Sequence, residues 1–390
     1  MNVEHIQEIQ QNQEIRTEIV QDWESRENFA EDWDDLFRRA VGAPPYLSRV
    51  WVNTFVEAGR LRGKPLIIVA RSGKKLVVLL PLCVRRSLGI KIAEPIGTGH
   101  PSYLGVLLDP EYPTALESLA EFFAHGNFVD VILNEDLSAR DCVTNGLFGR
   151  LNGQNFLSFR VPRNSCHLIE LSCSYEEYIG KRKSSKQQQK LRKLERRLLN
   201  SGEINFECYG NDNIPTEVFS RAANIQQQSW MKRRGATELR QPFYQKLLKA
   251  MAKEGFVRVG LVTIDGKDAA FGLSFVAHKR SYLSWIAFDL KYETLSVGNV
   301  MIPWLISDSC SHGFLSLDFG HGDAEYKRRF STNIYNVERI VAGRGFRGHL
   351  IAICYFVVWR LAQIEWLHSL YRRMKTYCLA SIRKCRCLTP

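Results

Sequence analysis

The run LDFGHGDAEYKRRF (317–330) gathers the residue types that acyl transfer needs. Moving an acyl group onto an amine or hydroxyl takes a base for the acceptor's proton, donors for the oxyanion and an acid for the departing thiolate. Asp318, His321 and Asp323 are candidate bases, Tyr326 is the candidate acid, and Lys327 can stabilise negative charge. Gly320 and Gly322 flank His321 at the end of an apolar strand, a pattern that makes a tight loop and exposes polar groups. A structural reading competes evenly, with Asp318 capping a turn and Lys327–Arg329 forming a solvated face.

A second constellation lies upstream. The strand SYLSWIAFD (281–289) and the loop YETLSVG (292–298) lead into a helix running to about His312. A helix N-terminus collects unpaired N–H groups and positive dipole, so Ser296, Val297, Gly298 and Asn299 form a candidate turn for a pyrophosphate. An ordinary helix cap accounts for the same S-x-G spacing. Trp230, Arg233 and Asp289 are candidate acceptor contacts. Isolated histidines such as His100 and His167 give no metal-ligand spacing, and no metal site is expected.

The elements that must position these groups divide the chain. At 390 residues, 45% hydrophobic and 24% charged, it exceeds one ordinary core. Residues 1–22 are polar and read as a flexible N-terminus without the apolar core of a signal peptide, so a cytoplasmic location is expected. Residues 23–162 read as a first α/β domain, with a hairpin from PLIIVA (65–70) and KLVVLLPL (75–82) and strands at 103–108, 129–134 and 156–161. Residues 163–345 read as a second domain. It holds a strand at 167–171, a helix capped by Ser174, a long basic helix, the meander 256–289, and the strand–loop–helix run that carries the candidate chemistry.

The net charge of +12 is local. Segment 181–197 carries nine Lys/Arg against Glu195, and 346–390 carries eight against Glu365, so the rest of the chain is slightly acidic. That distribution excludes a uniform nucleic-acid-coating surface, and no DNA partner is expected. The stretch 181–197 suits phosphates of a nucleotide, CoA or tRNA, or simply a solvated helix face. In 346–390, LIAICYFVVW is too short to span a bilayer, and the basic, aromatic continuation reads as an amphipathic helix at an anionic membrane surface or docked on the second domain. The ten cysteines include no C-x-x-C pair and read as free, mostly buried thiols.

Several runs together resemble the CelD-like (BioF-associated) acetyltransferases, a branch of the GNAT superfamily related to the FemABX peptidyltransferases. The matching pieces are PLIIVA…LPL, EEYIGKRKSSKQQQKLRKLERRL, DGKDAAFGLSFV, WIAFD, LSVGNVMIPWLI and LDFGHGDAEYKRRF. The resemblance spans most of 23–342 and implies two tandem GNAT-like domains, each a mixed, largely antiparallel sheet flanked by helices, the first degenerate. It implies acetyl-CoA as donor and a sugar or envelope precursor, free or lipid- or nucleotide-linked, as acceptor. It also allows an aminoacyl-tRNA donor, or a silent membrane-surface component of a polysaccharide system. The usual phosphate loop, R/Q-x-x-G-x-G/A, is here LSVGNV (295–300): Gly298 is kept, while Leu295 and Val300 differ.

Overall fold

β-Branched apolar runs become strands, and short polar turns between them fix their pairing. The computed structural model describes residues 14–21, 28–100, 103–210, 214–233, 235 and 237–363. The strands are β1 (Ile15–Val20), β2 (Lys64–Ser72), β3 (Lys75–Ser87), β4 (Ile90–Pro95), β5 (Leu107–Leu108), β6 (Val131–Ser138) and β7 (Phe156–Glu170). They continue as β8 (Ile204–Tyr209), β9 (Val257–Ile264), β10 (Lys267–Ala277), β11 (Arg280–Phe288), β12 (Ser316–His321) and β13 (Asn333–Arg344). The hairpin β2–β3 and the meander β9–β10–β11 form as their turns predict, with Asp265 and Gly266 both at positive φ.

All strands belong to one 13-stranded mixed sheet flanked by helices, in the order β1-β2-β3-β4-β6-β13-β7-β12-β11-β10-β9-β8, with β5 beside β3. Every pairing is antiparallel except two, β4 with β6 and β11 with β12, placed symmetrically about the central pair. That centre is exchanged between the halves. β7 follows the first half in sequence but pairs with β12, whereas β13 follows β12 in sequence but pairs with β6. β7 and β13 also pair with each other along twelve positions.

The core follows the same exchange. On one face, the helices Phe29–Arg39 and Arg49–Glu57 share a single apolar cluster with Thr216–Gln228 and Pro242–Lys253. On the other face each half keeps its own: Ala115–His125 and Cys142–Asn152 cover the first, while Ser185–Leu199 and Val297–Ser311 cover the second. A division between residues 162 and 163 falls inside β7, which runs straight through it.

Several expectations are corrected here. Ile15–Val20, assigned to a flexible N-terminus, pairs antiparallel with β2 because its alternate apolar residues meet the sheet edge, and Val20 is buried. Only Leu107 and Leu108 of 103–108 are strand. The short helix capped by Ser174 and the long basic helix form as expected, as Tyr175–Arg182 and Ser185–Leu199; the basic run 181–197 is divided between them, because Ser184 and Gln187 form a reciprocal capping box that starts the second. Of the seven unpaired cysteines among the described residues, only Cys83 and Cys166 are buried.

The helix Gly345–Ala362 is not amphipathic. Gly348 and Ala352 allow it to pack close on the sheet, and Phe356 stacks on Phe159, yet Phe346, Leu350, Val357 and Val358 on its remaining surface are exposed. Apolar residues therefore occupy both sides. The rest of the tail, 364–390, lies outside the described residues. Among the described residues no helix is long and apolar enough to cross a membrane.

Candidate active site

β11 and β12 pair only over Arg280–Tyr282 and Ser316–Asp318. Beyond that point the strands part, and among the described residues the edge of β11 from Leu283 onward has no strand partner on that side. A cavity of about 270 Å³ fills the wedge, lined by Leu283, Ser284 and Ile286 from one strand and Phe319, Gly320 and His321 from the other. A second cavity, of about 260 Å³, lies toward the first half of the chain. Tyr103, Tyr282 and Asp318 line both.

Asp318 is the fixed point of this wall. It is buried, and its carboxylate accepts from the Tyr103 hydroxyl at 3.0 Å, from the Gly320 N–H at 2.6 Å and from the Tyr335 hydroxyl. Burial pushes its pKa up, against the pull of those three donors. Tyr103 also lies 3.4 Å from the thiol of Cys166, which burial raises to about 12 and keeps protonated. Tyr103 reaches Asp318 from a distant part of the chain, the segment ahead of β5, and Tyr335 reaches it from β13, the next strand.

The other residues of 317–330 separate into two groups. His321 and Tyr326 line the wedge with Asp318. His321 is held neutral, its pKa lowered to about 4 by burial and by the nearby Arg163 and Lys327; its Nε2 is buried without a hydrogen-bond partner. Its Nδ1 faces Asp136 at 3.8 Å. The Tyr326 ring sits edge-on to Phe319, burial raises its phenol to about 12, and its hydroxyl bonds no other described residue. Lys327 also lines the cavity, but its ammonium donates to the carbonyls of Gly320 and His321, so it holds the loop rather than offering a free cation. Asp323 lies apart, half exposed, between His167 Nε2 at 3.1 Å and Arg328 at 2.7 Å.

At the far end of β11, Ser296 takes a left-handed conformation and its side chain caps nothing. Val297 is buried in the core of the second half. Gly298 is required by contact: a Cβ there would come within 2.9 Å of the Phe288 ring. Asn299 accepts from Arg329 at 2.8 Å, which ties the helix's first turn to the short helix Glu325–Phe330. Lys183 lies beside Arg329, donating to its carbonyl; burial, then Arg329 and Arg182, lower its pKa to about 8. Of these cations Arg329 alone touches the helix's first turn, whose leading N–H groups have no intrahelical acceptors; Lys183 is held behind it, and Arg182 donates to the Ser331 carbonyl. The other basic residues of 186–197 are exposed, and Glu195 holds their helix in place by accepting from Trp304 at 2.9 Å.

Three candidates fall elsewhere. Asp289 caps the turn after β11 by accepting from the Lys291 N–H, in a separate pocket with Asn224 and Tyr292. Trp230 and Arg233 sit in the short helix Trp230–Arg233 and line neither cavity at Asp318. Sequence reasoning missed Tyr103, Tyr335, Tyr282 and Arg280, whose only local signal is an aromatic or charged residue at or near a strand.

A parallel pair that splays past a buried carboxylate, with a helix starting beyond the outer strand, suits an activated acyl group lying between the strands. Residues 185–328 match the acetyltransferase (GNAT) domain. This GNAT region contains β11, β12, the helix Val297–Ser311 and Tyr326. No curated protein sequence matches the chain. Among solved structures, FemX shares 11% identity over 83% of this chain and 96% of its own, with a TM-score of 0.59. The C-terminal (DUF2156) domain of a putative lysylphosphatidylglycerol synthetase from Agrobacterium fabrum shares 14% over 84% and 95%, with a TM-score of 0.53. L-PGS from Bacillus licheniformis shares 10% over 85% and 95%, with a TM-score of 0.52. At these identities the likeness is one of fold. The GNAT match makes this an acyltransferase-type enzyme, and no group of three or more His, Cys, Asp or Glu among the described residues has metal-binding geometry.

Proposed function

We propose that the chain transfers an acetyl group from acetyl-CoA to an amine or hydroxyl of a sugar or envelope precursor, as the resemblance to CelD-like enzymes implies. The observation that carries the proposal is that Asp318 lines two cavities at once. One suits a donor between the splayed strands, and the other suits an acceptor arriving from the first half of the chain. The unpaired edge of β11 can hydrogen-bond the amides of a pantetheine arm, and Arg329, beside the helix's first turn with Lys183 behind it, can meet its phosphates.

Bound acetyl-CoA supplies an activated acyl group. Asp318, its pKa raised by burial, takes the proton that the acceptor loses as it attacks. Tyr103 and Tyr335 hold that carboxylate in place. Tyr326, protonated at neutral pH, gives its phenolic proton to the departing sulfur. His321, neutral above about pH 4, offers a buried Nε2 as a second acceptor toward the acceptor's N–H or O–H. Lys327 positions the loop that carries it. Calorimetry with acetyl-CoA tests the donor: saturable binding that weakens when Lys183 and Arg329 are both made neutral supports it, and no binding removes it.

The proposal extends to location. The exposed apolar residues of Gly345–Ala362, followed by Arg372, Arg373, Lys375, Arg383, Lys384 and Arg386, suit an anionic membrane surface on the cytoplasmic side. Flotation with anionic vesicles should carry the full chain upward and leave a chain ending at residue 344 behind. Equal flotation of both would remove the tail from that role.

A further inference from the structure

The cavity on the acceptor side of Asp318 is not neutral. Arg140 and Arg280 both line it. Arg280 starts β11 and pairs with Ser316, two residues before the pairing of Tyr282 with Asp318. Side chains two apart on a strand share a face, so Arg280, Tyr282, Ser316 and Asp318 all point to this cavity, with Arg280 about 7 Å along the strand from the carboxylate.

The charges in the cavity are not balanced against each other. Asp318 already accepts from three donors. Asp141 caps the helix Cys142–Asn152 by accepting from the Thr144 N–H. Arg280, by contrast, makes no ion pair with any described carboxylate; its guanidinium lies against Gly42, 3.4 Å from where a Cβ would stand. Arg140 has only Glu170, at 3.5 Å and largely exposed, and lies over the Tyr335 ring. Two guanidiniums thus face a cavity in which neither carboxylate pairs with them, and a guanidinium fork is shaped for a carboxylate or phosphate.

We propose that the acceptor carries an anionic group, carboxylate or phosphate, which Arg280 and Arg140 hold about 7 Å from the atom that receives the acyl group. This rests on the acetyltransfer reading for what happens at Asp318, but the anion site itself is testable without any donor. An acceptor so held presents its amine or hydroxyl to Asp318, while the same group in a neutral analogue has nothing to orient it.

Cys142 is exposed and lines this cavity, so its alkylation by iodoacetamide, followed by peptide mass spectrometry, reports occupancy. The probes are glucosamine, glucosamine 6-phosphate and 2-amino-2-deoxyglucuronate, tested on the full chain at equal concentration. At least one acidic probe should slow Cys142 alkylation about tenfold or more relative to glucosamine. Protection by only one of them identifies the anion as phosphate or carboxylate. Arg280→Gln should abolish that protection and Arg280→Lys should keep part of it, both leaving acetyl-CoA binding and the thermal transition unchanged. Equal protection by glucosamine, no protection by either acid, or full protection in Arg280→Gln would each overturn the proposal. If the acids protect but acetyl-CoA does not bind, the anion site stands and the acetyl donor falls.

Discussion

Past their last parallel pairing, β4 and β6 part around the chain's own residues 104–106, whereas β11 and β12 part around a cavity of about 270 Å³. The two wedges occupy equivalent places in the sheet. In the first, β5 takes over the edge of β3 where β4 ends, Asn134 donates to the Leu104 carbonyl, and Thr144 accepts from the Val106 N–H. Only about 10 Å³ is left open. The same geometry thus becomes a packed core in one half and a reaction chamber in the other, and what decides is whether the polypeptide satisfies the splayed strands itself. The filled wedge still contributes to the open one, because the segment that fills it begins with Tyr103, which donates to Asp318.

The sharpest way to break this comparison is to separate the halves. A fragment of residues 163–345 would lose the β6 partner of β13 and the helices that share its largest core, and it should show no cooperative thermal transition by circular dichroism. A native-like transition would mean that the halves are independent units after all.

Next in size are the open wedge's own groups. Asp318→Asn and Tyr326→Phe should each lower acyl transfer by about 10²–10⁴ in kcat with the fold retained. Full activity in either would remove that residue from the chemistry. Because Asp318 works as a carboxylate and its pKa is raised, kcat should fall on the acid side at a pH above the ordinary 3.8, a limb that Asp318→Asn lacks.

The filled wedge should respond in stability instead. Gly105 has no room for a side chain, since a Cβ would lie 2.1 Å from the Thr144 hydroxyl. Gly105→Ala should cost about 1–3 kcal/mol in urea unfolding. Its folded fraction should still bind acetyl-CoA; loss of donor binding there would show that the two wedges are coupled.

The smallest effect at neutral pH is acid sensitivity at the open wedge. His321 is neutral in the folded chain down to about pH 4 but ordinarily titrates near 6.5. Below 6.5 the unfolded chain takes up a proton that the folded one refuses, so stability falls as pH drops from 6.5 toward 4, by roughly 3 kcal/mol at the lower end. His321→Gln should flatten that part of the pH–stability curve; an unchanged slope would assign it to other groups.

How much of this was readable from sequence depends on range. The cluster Asp318, His321, Tyr326 and Lys327 was legible because one strand, one tight loop and one helical turn deliver it within a dozen residues. Tyr103 was not, because it meets Asp318 across 215 positions and no periodicity encodes that meeting. β7 reads as two strands because VPRNS (161–165) interrupts its apolar pattern. In the structure the strand continues through a register shift opposite Pro162, whose missing N–H removes one rung without ending the ladder. The exchange of β7 and β13 was hidden for the same reason: each strand is locally ordinary, and only its partner is unexpected.

That exchange has a consequence for synthesis. β6 is complete at residue 138, but the strand that covers its edge ends at residue 344. At ribosomal speeds of about 5–20 residues per second, Val131–Ser138 waits on the order of 10–40 s with its ladder open. An uncovered edge of this kind invites pairing with other nascent chains, so yield in the cell should depend on holding chaperones and on slower growth more than the finished molecule's stability would suggest.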